Sequence, residues 1–189
     1  IILASDQIDE YQIEEMHRNG SRVDSWGIGT RLVTSYEKPA LGGVYKLAAV
    51  EEPDGSWGYR LKLSEEVIKI SNPGIQQVRR MRDENGIPVA DLLYDIHLPF
   101  TPELYGEDGA PAGGYHGLEG DDLLVPIFRE GRLVYNAPTL QKIREHSLQQ
   151  QALFRKVDWQ QFRFGLEKNL YQKKAELIEQ HQQTLAAKE

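Results

Sequence analysis

The sequence predicts a mixed α/β fold that opens on a parallel strand–helix–strand unit and closes in helices. Three observations predict it. A strand, a helix and a second strand fit within about 26 residues of Ile1. Paired strand-like runs flank turn residues between 44 and 135, and helical spacing of apolar side chains takes over after Pro138.

Ile1-Ile2-Leu3-Ala4 is short, apolar and β-compatible, as a buried parallel strand is. Such a run at the very start leads to the expectation that a longer protein has been cut here. Ser5 and Asp6 are good N-cap residues. Residues 7–18 then carry Ile8, Tyr11, Ile13 and Met16 at imperfect helical spacing, with Gly20 placed to close the helix at C′. Residues 22–26 form the second strand, which ends in Gly27-Ile28-Gly29-Thr30. Residues 44–50 and 58–63 are strand-like across Pro53-Asp54-Gly55-Ser56. Residues 76–82 and 89–94 pair across Glu84-Asn85-Gly86, Asn-Gly being a hairpin turn. The stretch 101–120, with Gly106, Gly109, Pro111, Gly113 and Gly114, is expected to be an exposed loop. Residues 123–128 and 133–135 make a last hairpin across Glu130-Gly131. Pro138-Thr139 caps a helix to about Gln151, and another runs from about Leu166 to Ala187 with Leu170, Leu177 and Ile178 as its apolar face. Three blocks result: a βαβ segment (1–50), a hairpin-rich appendage (51–138) and terminal helices (139–189).

Charge and composition bound the function. With 22 Lys and Arg against 29 Asp and Glu the net charge is −7, which argues against a nucleic-acid binder with its basic stripe. Backbone amides can still hold a phosphate locally. The absence of cysteine excludes disulfides, thiolate metal sites and a cysteine nucleophile. No apolar run approaches the ~18 residues of a membrane helix, and no basic-then-apolar leader precedes the fold, so a cytoplasmic protein is expected.

Candidate chemistry concentrates at two strand ends. Glycines let a backbone approach an anion and aim several amides at it, so Gly27, Ile28, Gly29 and Thr30 are candidate phosphate-binding residues, Thr30 adding a hydroxyl. A plain tight turn needs the same pattern. Ser5 and Asp6 end the neighbouring strand and offer the free amides of a helix start; an ordinary N-cap is the competing explanation. Asp24 is placed either to orient a ribose or the glycine loop, or to make a structural hydrogen bond. His17, His97, His116, His146 and His181 lack metal-ligand spacing, so no metal site is expected. His116, in the glycine-rich stretch, is the one histidine placed for a catalytic or ligand role, against an ordinary surface position. Trp26, Trp57 and Trp159 are expected to pack, and Arg79, Arg80 and Arg82 to form a strand face balanced by Asp83 and Glu84.

The run Val23-Asp-Ser-Trp-Gly-Ile-Gly-Thr-Arg-Leu-Val-Thr-Ser35, followed by Pro39-Ala-Leu-Gly-Gly-Val-Tyr-Lys-Leu47, closely resembles nicotinate phosphoribosyltransferases. Ala4-Ser-Asp-Gln-Ile-Asp-Glu10, Ser71-Asn-Pro-Gly74, Ala90-Asp-Leu92 and Leu124-Val-Pro-Ile-Phe128 extend the resemblance to most of the chain. The resemblance implies the C-terminal part of an enzyme that makes nicotinate mononucleotide from nicotinate and phosphoribosyl pyrophosphate with ATP hydrolysis. It implies an incomplete α/β barrel of the type II phosphoribosyltransferase kind, with β-hairpins and C-terminal helices, and a homodimer when intact. It implies that Gly27, Ile28, Gly29 and Thr30 hold the 5′-phosphate with Ser5 and Asp6. The family often has Asn or Gly where Asp6 stands; a carboxylate repels a phosphate, so Asp6 would serve ribose hydroxyls or the helix cap. Nicotinate-binding groups, the histidine phosphorylated by ATP and an acidic strand for ribose and Mg2+ are implied for segments outside this sequence, so no catalytic residue is expected here and the chain alone is expected to be inactive. Two alternatives stand beside this: a related nicotinamide or quinolinate enzyme, and a non-catalytic phosphate-binding or subunit-assembly module.

Overall fold

The computed structural model describes residues 1–40, 43–64, 69–106 and 108–186, without the side chains of Leu185 and Ala186. Leu41 and Gly42 of the glycine-containing run, Glu107 of the expected loop and Ala187 of the last helix lie outside the described residues. The chain divides into two units, Ile1–Tyr45 and Lys46–Glu189.

In the first unit β1 (Leu3–Asp6) and β2 (Ser25–Ile28) pair in parallel, joined by α1 (Glu10–Arg18). A parallel pair needs such a crossover, because a tight turn cannot reverse the chain twice. The cap of α1 corrects the expectation. Asp9, not Ser5 or Asp6, is the N-cap, its side chain accepting from Gln12 N–H at 2.9 Å. At the other end Gly20 has φ +80°, with Gly20 N–H bonded to His17 O and Ser21 N–H to Met16 O. That is the doubly bonded glycine stop predicted for this position. Among the described residues of the unit Ile8 is the buried side chain. β2 lies later than predicted, at Ser25–Ile28, so Gly27 and Ile28 belong to the strand; a four-residue helix, α2 (Thr30–Val33), follows at once.

The second unit begins with a hairpin, β3 (Ala49–Glu51) and β4 (Trp57–Tyr59). Asp54 closes its turn by accepting from Ser56 N–H and Oγ. β5 (Gln76–Arg82) and β6 (Pro88–Asp95) form the predicted hairpin, with Gly86 at φ +73° and Asp83 accepting from Asn85 and Ile87 N–H. The stretch expected to be loop instead contains β7 (Glu103–Tyr105), β8 (Pro111–Gly114) and β9 (Glu119–Asp122). A short hairpin of β10 (Phe128–Arg129) and β11 (Arg132–Leu133) follows, turning at Glu130 and Gly131, both at positive φ. Next comes α3 (Leu140–Phe154), capped by Thr139 as predicted. β12 (Arg163–Glu167) and α4 (Lys168–Ala186) end the chain, where a helix alone was expected from about Leu166.

Six strands form one mixed sheet in the order β8-β7-β12-β6-β5-β9, with β12 parallel to β6 and the other neighbours antiparallel. Its core is Met81, Ala90, Leu92 and Leu104, flanked by Val89, Phe100, Ala112 and Tyr115. Strand alternation explains Ala90-Asp-Leu92: Ala90 and Leu92 face the core, and Asp91 accepts both forks of Arg80 at 2.8 and 2.7 Å. Arg79 and Arg82 pair with Asp122 and Asp121 of β9. The arginine face is therefore balanced across strands, not by Asp83 and Glu84. Ser71-Asn-Pro-Gly74 also has a structural explanation. Gly74, at φ +88°, leaves a hollow that the carboxylate of Asp95 fills. Asp95, 1% exposed, accepts from Ile75 N–H at 2.9 Å and His97 N–H at 2.6 Å. Burial, with Asp95 alongside, pushes the Tyr59 phenol up to about 12. Glu167, equally buried, accepts from Asn169 and Leu170 N–H at the start of α4 and from Thr101 N–H.

Candidate functional site

Parallel pairing brings the predicted site residues to one edge of the first unit. Ser5 lies opposite Gly27 and Asp6 opposite Ile28, so both chains leave the sheet on the same side. Ser5 Oγ donates to Gly27 O at 3.3 Å. A Cβ built on Gly27 would stand 3.0 Å from Ser5 Oγ and 3.2 Å from its Cβ. Gly27 thus lacks a side chain because Ser5 packs beside it. Gly29 differs: nothing lies within 4 Å of the position its Cβ would take. Its carbonyl accepts from Leu32 and Val33 N–H, both at 3.1 Å, turning the chain into α2. Ser5, Asp6, Gly29 and Thr30 are all exposed, and Ile28 is partly so. The edge therefore carries two hydroxyls, a glycine open to its surroundings and the start of a helical turn, whose first amides have no intrahelical acceptor.

Two acidic residues of the unit behave differently. Asp6 has φ +113°, a backbone that L residues rarely adopt, and its carbonyl accepts from Ile8 N–H at 2.7 Å. This gives a steric reason for glycine to suit the position. Asp24 accepts from Ile2 N–H at 2.6 Å, so of its two predicted roles it fills the structural one.

Asp9 and Arg31 are not among the predicted site residues, yet they stand beside them. Asp9 Oδ2 lies 3.0 Å from Arg31 Nη1, and the guanidinium lies 4.8 Å from the Tyr36 ring centroid. A pocket of about 370 Å3 adjoins these groups, lined by Asp9, Ile28, Arg31, Leu32, Tyr36 and Lys38. The local signal for Asp9 was present in the sequence: Asp9 followed by Gln12 has the spacing of a helix-capping pair.

The remaining candidates offer less chemistry. His116 lies 3.6 Å from Glu103 on the surface, where Lys168 at 2.9 Å holds the Glu103 carboxyl below its usual range. His97 stacks on Trp57, and Trp159 stacks on Phe154. Among the described residues no three histidine or acidic side chains converge as metal ligands. A cavity of about 520 Å3 in the second unit lies between the sheet and α4. Its charged groups are engaged, Asp91 with Arg80, Lys174 with Asn72 Oδ1 at 2.8 Å and Asp108 with Ala110 N–H at 3.1 Å, which leaves a mainly apolar wall. Among the described residues no helix is long and apolar enough to cross a membrane.

No family model matches the chain. The nicotinate phosphoribosyltransferase of Bacillus subtilis is 30% identical over 165 residues, which cover 77% of this chain and 31% of that protein. The nicotinate phosphoribosyltransferase of Dictyostelium discoideum is 33% identical over 162 residues, 79% of this chain and 27% of that protein. The human one is 39% identical over 93 residues, 49% of this chain and 16% of that protein. The crystal structure of human nicotinic acid phosphoribosyltransferase has the same fold, with a TM-score of 0.62 and 20% identity, covering 94% of this chain and 33% of that one. The chain spans less than a third of the length of these curated relatives.

Proposed function

We propose, for a chain related to the nicotinate phosphoribosyltransferases, that its first unit supplies the 5′-phosphate cradle of an enzyme joining nicotinate to phosphoribosyl pyrophosphate. The products are nicotinate mononucleotide and pyrophosphate. The observation that carries this reading is the parallel register of β1 and β2, which sets Ser5 beside Gly27 with Gly29 open in front. On this reading β1 and β2 are two strands of a larger type II barrel, and ligands bind at the strand ends as in other parallel α/β folds.

The cradle works by positioning. Amides around Gly27–Thr30 and the hydroxyls of Ser5 and Thr30 hold the phosphate, which fixes C1 of the ribose relative to the incoming base. Bond exchange at C1 then passes through a transition state of oxocarbenium character. On this reading Mg2+, the coupled ATP and nicotinate recognition belong to parts of the enzyme outside these 189 residues. A cytoplasmic homodimer is the proposed working form.

Calorimetry of this chain with nicotinate mononucleotide and with inorganic phosphate tests the cradle. Binding that Gly29→Val abolishes is the expected result, and unchanged affinity in that variant refutes the assignment. A coupled assay with nicotinate, phosphoribosyl pyrophosphate and ATP is expected to give no product from the chain alone; turnover at an enzyme-like rate would refute that part. A second reading, a subunit-assembly module, draws support from Leu124, Val125, Phe128, Leu133, Leu140 and Ile143, each at least half exposed.

A further inference from the structure

Asp9 uses its two oxygens for different partners. Oδ1 caps α1 by accepting from Gln12 N–H at 2.9 Å, and Oδ2 pairs with Arg31 Nη1 at 3.0 Å. The carboxylate side chain is 13% exposed and the arginine 35%, so the pair is partly shielded from solvent. Arg31 is held from the other side by the Tyr36 ring, 4.8 Å away, and its Nε is buried without an acceptor. The guanidinium therefore has more donor capacity than its partner takes up. Asp9 follows Asp6 by three residues and Arg31 directly follows Thr30, so the pair ties together the two segments that leave the strand ends. It also alters the local charge. Asp6, Asp9 and Glu10 crowd the edge with carboxylates, and Arg31 is the one cation paired with any of them among the described residues.

We infer that the Asp9–Arg31 pair sets both the spacing of the two strand-end segments and the charge that a phosphorylated ligand meets there. Arg31 is a positioning residue on this account: it offsets the Asp9 charge and, through its stacking on Tyr36, braces the turn that leaves β2. The inference rests on the cradle reading of the previous section. A carboxylate without its counter-ion repels a phosphate dianion most where solvent is partly excluded, which gives the two partners opposite signs. Removing the cation harms anion binding; removing the carboxylate does not.

The test is calorimetry of the 189-residue chain with inorganic phosphate and with nicotinate mononucleotide, in Arg31→Met, Asp9→Asn and the double variant. Asparagine preserves the helix cap, and methionine preserves most of the apolar stem. Arg31→Met is expected to weaken binding about tenfold. Asp9→Asn is expected to hold or strengthen it even where Tm falls, and the double variant to recover most of the loss. If Asp9→Asn weakens binding as much as Arg31→Met, in step with the fall in Tm, the pair is a structural tie only and the inference is overturned. No binding by the unaltered chain overturns the cradle reading and the charge half of the inference with it. The positioning half is read separately from amide hydrogen exchange at residues 28–32. Faster exchange in Arg31→Met with recovery in Arg31→Lys supports it, and equal exchange in all three proteins overturns it.

Discussion

The two glycines of the Gly-x-Gly-Thr turn are absent side chains for different reasons, and substitution separates them. Valine at 27 must displace Ser5, whose Oγ and Cβ lie 3.0 and 3.2 Å from the new Cβ, at a cost of about 1–3 kcal/mol. Valine at 29 meets no neighbour within 4 Å. Thermal unfolding is expected to rank Gly27→Val as the more destabilised variant, while ligand affinity is lost wherever valine projects into the phosphate space at 29. Asp6 carries a further prediction. Its φ of +113° costs an L residue about 1–3 kcal/mol, so Asp6→Gly is expected to raise Tm despite the entropy glycine loses on folding. A fall in Tm would show that the aspartate side chain stabilises the bend. Ser5 and Gly27 were legible as neighbours because a strand–helix–strand spacing dictates parallel ends. The Asp9–Arg31 pair was not, because 22 residues separate its members and neither belongs to a phosphate-binding pattern. The strained φ of Asp6 had no sequence signal except the departure from asparagine or glycine.

Individual elements are held by polar contacts that composition alone would not rank. β9 is exposed at every residue, and Arg79 and Arg82 of β5 grip it through Asp122 and Asp121. Hydrogen bonding from Arg79, helped by Tyr94, holds the Asp122 carboxyl below its usual range. The native state therefore binds this proton less tightly than the unfolded chain. The stabilisation is complete above the unfolded value near 4 and is lost as the pH falls through the lower folded value. Amide exchange in Glu119–Asp122 is expected to lose protection below about pH 4 ahead of β6, and Arg79→Gln to remove that pH dependence. At the other side of the sheet the buried Glu167 takes the first amides of α4 and a loop amide of Thr101. Glu167→Ala orphans three backbone amides and is expected to cost about 3 kcal/mol by denaturant titration; a loss below about 1 kcal/mol would mean water replaces the carboxylate. The hairpins at Gly86 and Gly131 were legible because their turns require glycine at positive φ. β12 was hidden, since Arg-Phe-Gly-Leu-Glu contains a glycine and runs straight into helical spacing. That glycine has a local explanation, because a Cβ at Gly165 would run into the backbone oxygen of Tyr105.

At the scale of the molecule, the sheet order explains what local patterns could not predict. β12 inserts between β6 and β7 although it follows β6 by nearly seventy residues. The Gly- and Pro-rich stretch 101–120 reads as loop in isolation but is recruited as strands, with Leu104 1% exposed, once β12 presents an edge to β7. Alternation and turn chemistry foretold an α/β fold with hairpins and terminal helices; long-range pairing decided the rest. The same long-range economy leaves apolar side chains outward in the second unit, from Leu124 through Ile143. Burying such side chains against a second chain is favourable. Sedimentation velocity of the chain is expected to show concentration-dependent self-association, and a monomer at every concentration would count against an assembly role.

The Asp95 carboxylate that fills the hollow beside Gly74 also constrains how the gene can drift. A codon change at 74 that adds any side chain meets the buried, hydrogen-bonded Asp95 as well as a φ of +88°, whereas shortening 95 first removes the collision and leaves only the backbone strain. Descendants of this sequence reach a side chain at 74 most cheaply after, or together with, a change at 95, and still carry the strain of the bend.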